Sequence, residues 1–161
     1  MAGAVNKLSH VGADGTVSMV DISAKDRSAR TARAVARIHL SPAARAALLS
    51  ATLTKGDAFA TAQIAGILAA KQTATLIPLT HPIPLDHIEV GFAWEADTLR
   101  VQAEARTTAA TGVEMEALLA VSIAALTIYD MVKALDRGIQ IENIELLEKT
   151  GGKSGAWKSG R

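Results

Sequence analysis

The thirteen residues from Ala117 to Tyr129 are apolar at every position except Ser122 and Thr127, and no other feature constrains the chain as tightly. Bounded by Glu116 and Asp130, the run falls short of the roughly 20 residues that a membrane helix needs, so it reads as a buried helix. Its helical pattern extends from Val113 to Leu135 and is stopped by Gly138. Apolar nearly all round in its middle, such a helix must be covered on two sides, whereas one sheet covers only one. A homo-oligomer is therefore expected, and light scattering that showed a monomer at micromolar concentration would count against it.

Around this helix the chain alternates between strand and helix periodicity. Ala32, Ala34, Ala36, Ile38 and Leu40 alternate with polar neighbours, predicting a first core strand from Thr31 to Leu40. Ser41 offers an N-cap before Pro42, opening a short helix to about Leu49. Asp57 caps a second helix, Ala58 to Gln72, whose Ala62, Gly66 and Ala69 or Ala70 make a narrow packing face. Gly66 weakens helix propensity, which suggests a packing reason for it.

Prolines 78, 82 and 84 make Thr73 to Leu85 a constrained loop. Two strands follow as a hairpin linked by Glu95 to Thr98, the first burying Ile88, Val90, Phe92 and Trp94, the second Leu99, Val101, Ala103 and Ala105. A last strand, about Ile139 to Leu147, changes phase near Asn143 and predicts a bulge. Another strand is expected around Ser18 to Ser23, and the Gly-rich end reads as a loop. The order strand, helical segment, strand, strand, helix, strand is that of an α+β, ferredoxin-like split βαβ fold, an antiparallel sheet with helices on one face.

No repeat or linker divides the 161 residues, so one domain spanning 1–161 is expected, with a flexible N-terminal segment and a Gly-rich tail. A net charge of +1 provides no general field for nucleic acid or an anionic membrane, so anion binding needs a local cluster. With no cysteine, disulfides, thiol nucleophiles and thiolate metal sites are excluded. Met1 to Lys7 has no apolar signal core, for which a cytoplasmic location is the simplest reading.

Several groups could carry chemistry, each with a plainer alternative. Thr150-Gly-Gly-Lys153-Ser-Gly155, with Lys149 just before it, looks like a phosphate loop, but Leu147 stands where a Walker loop needs Gly and no helix follows. By itself it is more often a flexible end. Lys55-Gly56-Asp57 sets a cation at a helix entrance, which an ordinary capped helix also explains. His81 in Leu79-Thr80-His81-Pro82 could donate to a phosphate or transfer a proton, although a lone His is more often structural. Zinc binding with His87 lacks further ligands at a characteristic spacing. Glu114 and Glu116 open the long helix, where they complement its dipole. Asp130 and Lys133 share a helix face and can shift each other's proton affinity, as a catalytic pair or as a buried ion pair. Glu116 and Asp130 are fourteen residues apart, about 21 Å along one helix, so one small substrate would reach both only if two subunits contribute.

Taken in order, Met19-Val-Asp-Ile-Ser-Ala-Lys25, Lys55 to Gly66, Leu76 to Pro82, Thr111 to Leu118, Ala124 to Met131 and Gly151-Gly-Lys-Ser-Gly155 resemble the cyclic pyranopterin monophosphate synthases of molybdenum cofactor biosynthesis. Together they cover nearly the whole chain after residue 8. The resemblance implies conversion of 3′,8-cyclo-7,8-dihydroguanosine 5′-triphosphate into cyclic pyranopterin monophosphate with loss of pyrophosphate. It also implies a ferredoxin-like hexamer, a trimer of dimers with sites at subunit interfaces, acting on a nucleotide-derived small molecule without nucleic acid or membrane. By position it makes Asp130 catalytic, with Lys133 beside it in acid and base work, and brings Leu79, Thr80, His81, Met115 and Glu116 to the substrate. Glu114, Lys55, Lys71, Lys149 and Lys153 match further polar positions around the site. No cofactor is required on this reading, though a divalent ion can accompany the triphosphate.

Two positions depart from the family pattern: Thr80 stands where Cys is common, and Ala109-Ala110 replace Gly-Lys. The first dispenses with a thiol and the second removes a charge. A non-enzymatic ligand-binding domain of the same architecture would not need the clustered Lys, His and carboxylates. An RNA-binding domain would need exposed aromatics for base stacking, yet Phe92 and Trp94 share a face with Ile88 and Val90.

Overall fold

A computed structural model describes residues 14–50 and 53–160. The expectations for Met1 to Lys7 lie outside the described residues. Alternation of small apolar and charged residues produces the central strand β1 (Ser28–His39), whose inward Ala32, Ala34, Ala36 and Ile38 are fully buried. Pro42 then starts α1 (Pro42–Ser50), where the Ser41 hydroxyl accepts from the Ala44 amide at 3.3 Å. Asp57 caps α2 (Ala58–Lys71) by accepting from the Ala60 amide at 3.0 Å.

The proline-rich stretch is not loop throughout. Thr73 to Leu76 form one further helical turn, α3 (Thr73–Leu76), because the three prolines all lie beyond it and leave its backbone donors intact. After the remaining loop come β2 (His87–Glu95) and β3 (Thr98–Ala109), joined through Ala96 at a positive φ of 52°. The long helix α4 (Glu114–Val132) stops three residues before the expected Leu135, in a turn where the Leu135 and Asp136 amides both bond the Val132 carbonyl. β4 (Gln140–Thr150) carries the predicted bulge: its register with β1 slips between Val35 and Arg37, where Asn143 has a φ of 50°.

Two further expectations are corrected. Ser18 to Ser23 is not a strand; only Val17 forms an isolated bridge, and the Asp21 carboxylate draws the chain into a turn by accepting from the Ser23 amide at 2.8 Å. The Gly-rich end is not only loop, since positive φ values at Gly151, Gly152 and Gly155 turn it back so that β5 (Trp157–Lys158) pairs with Glu148 and Lys149.

The five strands form one antiparallel sheet in the order β2-β3-β1-β4-β5, which extends the ferredoxin-like order by one edge strand. Helices α2 and α4 cover one face. Ala117, Ala120, Val121, Ala124, Ala125 and Ile128 of α4 are fully buried there. Gly66 explains how closely the two helices approach: a Cβ at that position would lie 2.8 Å from the Ala120 carbonyl oxygen. By length and composition α4 could cross a membrane, but half of it is buried within this core.

The other sheet face is charged and largely self-neutralising. Arg33 pairs with Glu104 and Glu148, Arg37 with Glu95 and Glu145, and Arg100 with Glu95. On the helical side the opposite happens: Ile64, Leu68 and Leu126 remain exposed on α2 and α4, so the outer part of this helical layer is not covered by the described residues.

Candidate functional site

The start of α4 forms one side of the site because Thr111-Gly112 brings the chain off β3 directly into its first turn. Glu114 folds back over Gly112, where a Cβ would fall 1.8 Å from Glu114 Oε2. Its Oε1 accepts from Lys149 Nζ at 2.7 Å, tying the helix start to the end of β4. Met115 and Glu116, with Leu79, Thr80 and His81 of the α3–β2 loop, line a cleft of about 400 Å³. Val20, Ile22 and Lys25 from the segment before β1 close its remaining side.

A second cleft, of about 580 Å³, shares Lys25, Thr111, Gly112 and Glu114 with the first. Its other walls carry Arg30, Lys149, Lys153 and the Gly151-Gly152 turn. That turn is tightly specified, with φ of +87° at Gly151 and a Cβ there only 2.2 Å from the Ala29 carbonyl oxygen. Four cations thus face one pair of adjoining clefts, which suits an extended polyanion.

Within this region Glu116 differs from its neighbours. It is 4% exposed, and burial pushes its carboxyl up to about 7, a direction that nearby Glu114 reinforces. A carboxyl there can both take and give a proton near neutral pH. His81 Nε2 lies 2.8 Å from the Val20 carbonyl oxygen. Because a carbonyl only accepts, Nε2 carries the hydrogen. The Thr80 hydroxyl donates to the Ile77 carbonyl at 2.9 Å, so this side chain closes its own local turn.

The far end of α4 holds a separate cluster. Asp130 Oδ1 accepts from Lys133 Nζ at 2.6 Å, and Oδ2 accepts from Lys55 Nζ at 2.9 Å. Lys55 also donates to the Asp130 backbone carbonyl at 2.8 Å. The hydrogen bonds from Lys133 and Lys55 hold the Asp130 carboxyl down at about 2, while Asp130 raises Lys133. All three side chains are about half exposed, so this is an open clamp and not a buried ion pair.

Leu79, Thr80, His81, Glu114, Met115, Glu116, Lys149 and Lys153 are therefore brought together around the two clefts. Lys55, Asp130 and Lys133 meet elsewhere, one full helix length away. Lys71 stands exposed in the last turn of α2 and lines neither cleft. Residue reasoning overlooked Lys25, Arg30 and Gly112 as site residues. Lys25 and Gly112 lay inside segments quoted for the resemblance, whereas Arg30 had no periodic signal to separate it from the other arginines near β1. Among the described residues, no three His, Asp or Glu side chains converge as a metal-ligand set.

Comparison with known proteins adds a finding of a different kind. A family model described as the MoaC family matches residues 19–152. A cyclic pyranopterin monophosphate synthase of Novosphingobium aromaticivorans is 51% identical over 155 residues, covering 96% of this chain and 99% of that protein. A protein of the same name from Corynebacterium glutamicum is 50% identical over 153 residues, covering 95% and 98%. One from Bacillus velezensis is 45% identical over 158 residues, covering 96% and 93%.

Proposed function

The chain belongs to the MoaC family, and from that premise we propose that it catalyses the cyclic pyranopterin monophosphate synthase step of molybdenum cofactor biosynthesis. Its substrate is 3′,8-cyclo-7,8-dihydroguanosine 5′-triphosphate, and its products are cyclic pyranopterin monophosphate and pyrophosphate. The observation that carries this reading is the pair of adjoining clefts in which Lys25, Arg30, Lys149 and Lys153 accompany the near-neutral Glu116.

The chemistry makes two demands. Closing a cyclic phosphate while expelling pyrophosphate needs cations along the triphosphate, which Lys25, Arg30, Lys149 and Lys153 supply. Remodelling the purine-derived ring needs proton transfers, for which Glu116 sits at a suitable proton affinity beside Met115, Leu79, Thr80 and His81. Glu114 is already engaged by Lys149 and sets the position of that cation.

Asp130 stays ionised under all ordinary conditions and is a poor base. Its role in this reading is to fix the positions of the Lys55 and Lys133 side chains, which present positive charge to the substrate. In this reading these three residues, a helix length from the clefts of their own subunit, belong to a site completed by the clefts of a neighbouring subunit. The exposed Ile64, Leu68 and Leu126 provide apolar surface for such an assembly, for which we adopt a hexamer built as a trimer of dimers. We place the reaction in the cytoplasm and assign it no resident cofactor, a divalent ion entering only with the triphosphate.

The test is pyrophosphate release from the cyclised guanosine triphosphate, with mass detection of the cyclic pterin. Turnover by the intact chain, abolished in Asp130→Ala, supports the assignment. Binding without turnover would make this a family relative that has lost catalysis, and neither binding nor turnover would refute the substrate assignment.

A further inference from the structure

Resting on the substrate assignment above, we propose that His81 is a positioning residue, whose Nε2–H tethers the segment before β1 and so sets Lys25 at the junction of the two clefts. The segment from Val17 to Arg27 needs a tether. Apart from the isolated bridge at Val17, it belongs to no sheet ladder. Its internal order comes from a turn in which the Lys25 amide bonds the Ile22 carbonyl at 3.0 Å and Asp21 accepts from the Ser23 amide. That turn fixes the local path of the chain, and at the β1 end Arg27 Nη2 donates to the Thr108 carbonyl at 2.6 Å, holding that end of the segment against β3.

His81 holds the segment five residues before Lys25, so that Lys25 lies between two fixed points. Its ring reaches across 61 residues of sequence to the Val20 carbonyl at 2.8 Å. Val20, Ile22 and Lys25 then form one wall of the first cleft, and Lys25 is shared with the second. His81 itself is held from behind, in a loop bracketed by Pro78, Pro82 and Pro84 and closed by the Thr80–Ile77 turn. A rigid anchor therefore meets a segment with little regular structure, and the anchored segment carries a cation needed in both clefts.

The protonation chemistry separates this role from general acid–base work. The accepting carbonyl requires a hydrogen on Nε2 in the neutral ring and in the imidazolium alike, so the tether persists whichever form is present. Charged groups lining the cleft are Lys25 on the tethered segment and Glu114 and Glu116 on α4, and Asp21 of the segment lies near enough to interact with His81. Any proton exchange with substrate would have to pass through Nδ1. The tether makes no use of that atom.

The full-length protein, as it assembles, can be tested with two variants and two readouts. His81→Gln keeps an N–H near the Nε2 position without a titrating group, whereas His81→Ala removes the donor. Limited trypsin digestion at Lys25 and Arg27 reads the tether without any substrate. Cleavage in His81→Ala should accelerate about three- to tenfold, the effect of one lost hydrogen bond, and His81→Gln should recover most of the protection. In turnover, His81→Ala should raise KM more than it lowers kcat, with partial rescue by Gln and an unchanged pH profile of kcat/KM in the Gln variant.

Adding Lys25→Ala to His81→Ala should cost little beyond the larger single effect, because both act through one cation. Equal trypsin sensitivity in wild type and His81→Ala would overturn the tether. Loss of kcat in His81→Gln equal to that in His81→Ala would overturn the positioning role in favour of proton transfer. Absence of both binding and turnover in the wild type would refute the substrate assignment while leaving the digestion result to decide the tether.

Discussion

Replacing Glu116 by Gln removes one proton-binding site while keeping the side chain's size, and the structure sets how the stability should respond to pH. Burial raises this carboxyl from its ordinary 4.5 to about 7. Between those values the folded protein holds a proton that the unfolded chain releases, so stability falls as pH rises across the interval. The contribution is fully present below pH 4.5 and is lost as pH passes through about 7. At 1.36 kcal/mol per pH unit the whole loss amounts to about 3 kcal/mol. Urea unfolding at fixed protein concentration, repeated from pH 4.5 to pH 8.5, measures it as the difference between wild type and Glu116→Gln. That difference should move by about 3 kcal/mol in favour of the Gln variant as pH rises, with most of the change below pH 7. Parallel curves for the two proteins would refute the burial argument, and with it the case for Glu116 as a near-neutral acid–base group.

Three other outcomes follow from the packing and the clusters. Gly66→Ala should destabilise the fold by about 1–3 kcal/mol in chemical denaturation despite Ala being the better helix former, because the added Cβ meets the Ala120 backbone oxygen, which no rotamer change can move aside. Gly151→Ala, at a φ of +87° and against the Ala29 carbonyl, should cost about 1–3 kcal/mol of local strain and raise KM by displacing the turn that carries Lys153. Asp130→Ala and Glu116→Ala proteins, each inactive alone, should regain activity when unfolded and reassembled together, approaching about a quarter of wild type if subunits mix at random and each site draws on two of them; no recovery would argue for a site within one subunit.

Periodicity and local chemistry made most of the framework legible in the sequence. Alternation in Ala32 to Leu40, Ile88 to Trp94 and Leu99 to Ala105 found the three strands that build the core, and Asp57 and Ser41 marked the helix starts. The phase change at Asn143 revealed the bulge because adding one residue shifts the buried face. These features depend on neighbours within a few residues, which is what a sequence displays directly. The same locality explains the errors: α3 is a single turn with no period to detect, and β5 is two residues long and pairs only because three glycines reverse the chain.

For the site, the sequence determined which groups were available, and the resemblance picked out most of those that converge. Only the tertiary structure decided their states and partners. Asp130 is held ionised by Lys55, 75 residues away, as well as by its helical neighbour Lys133. Glu116 is buried although Glu114, two residues earlier in the same turn, remains within reach of Lys149. His81 is oriented by a carbonyl 61 residues distant. Burial and long-range hydrogen bonding set proton affinity, and both depend on which distant segments the fold brings into contact.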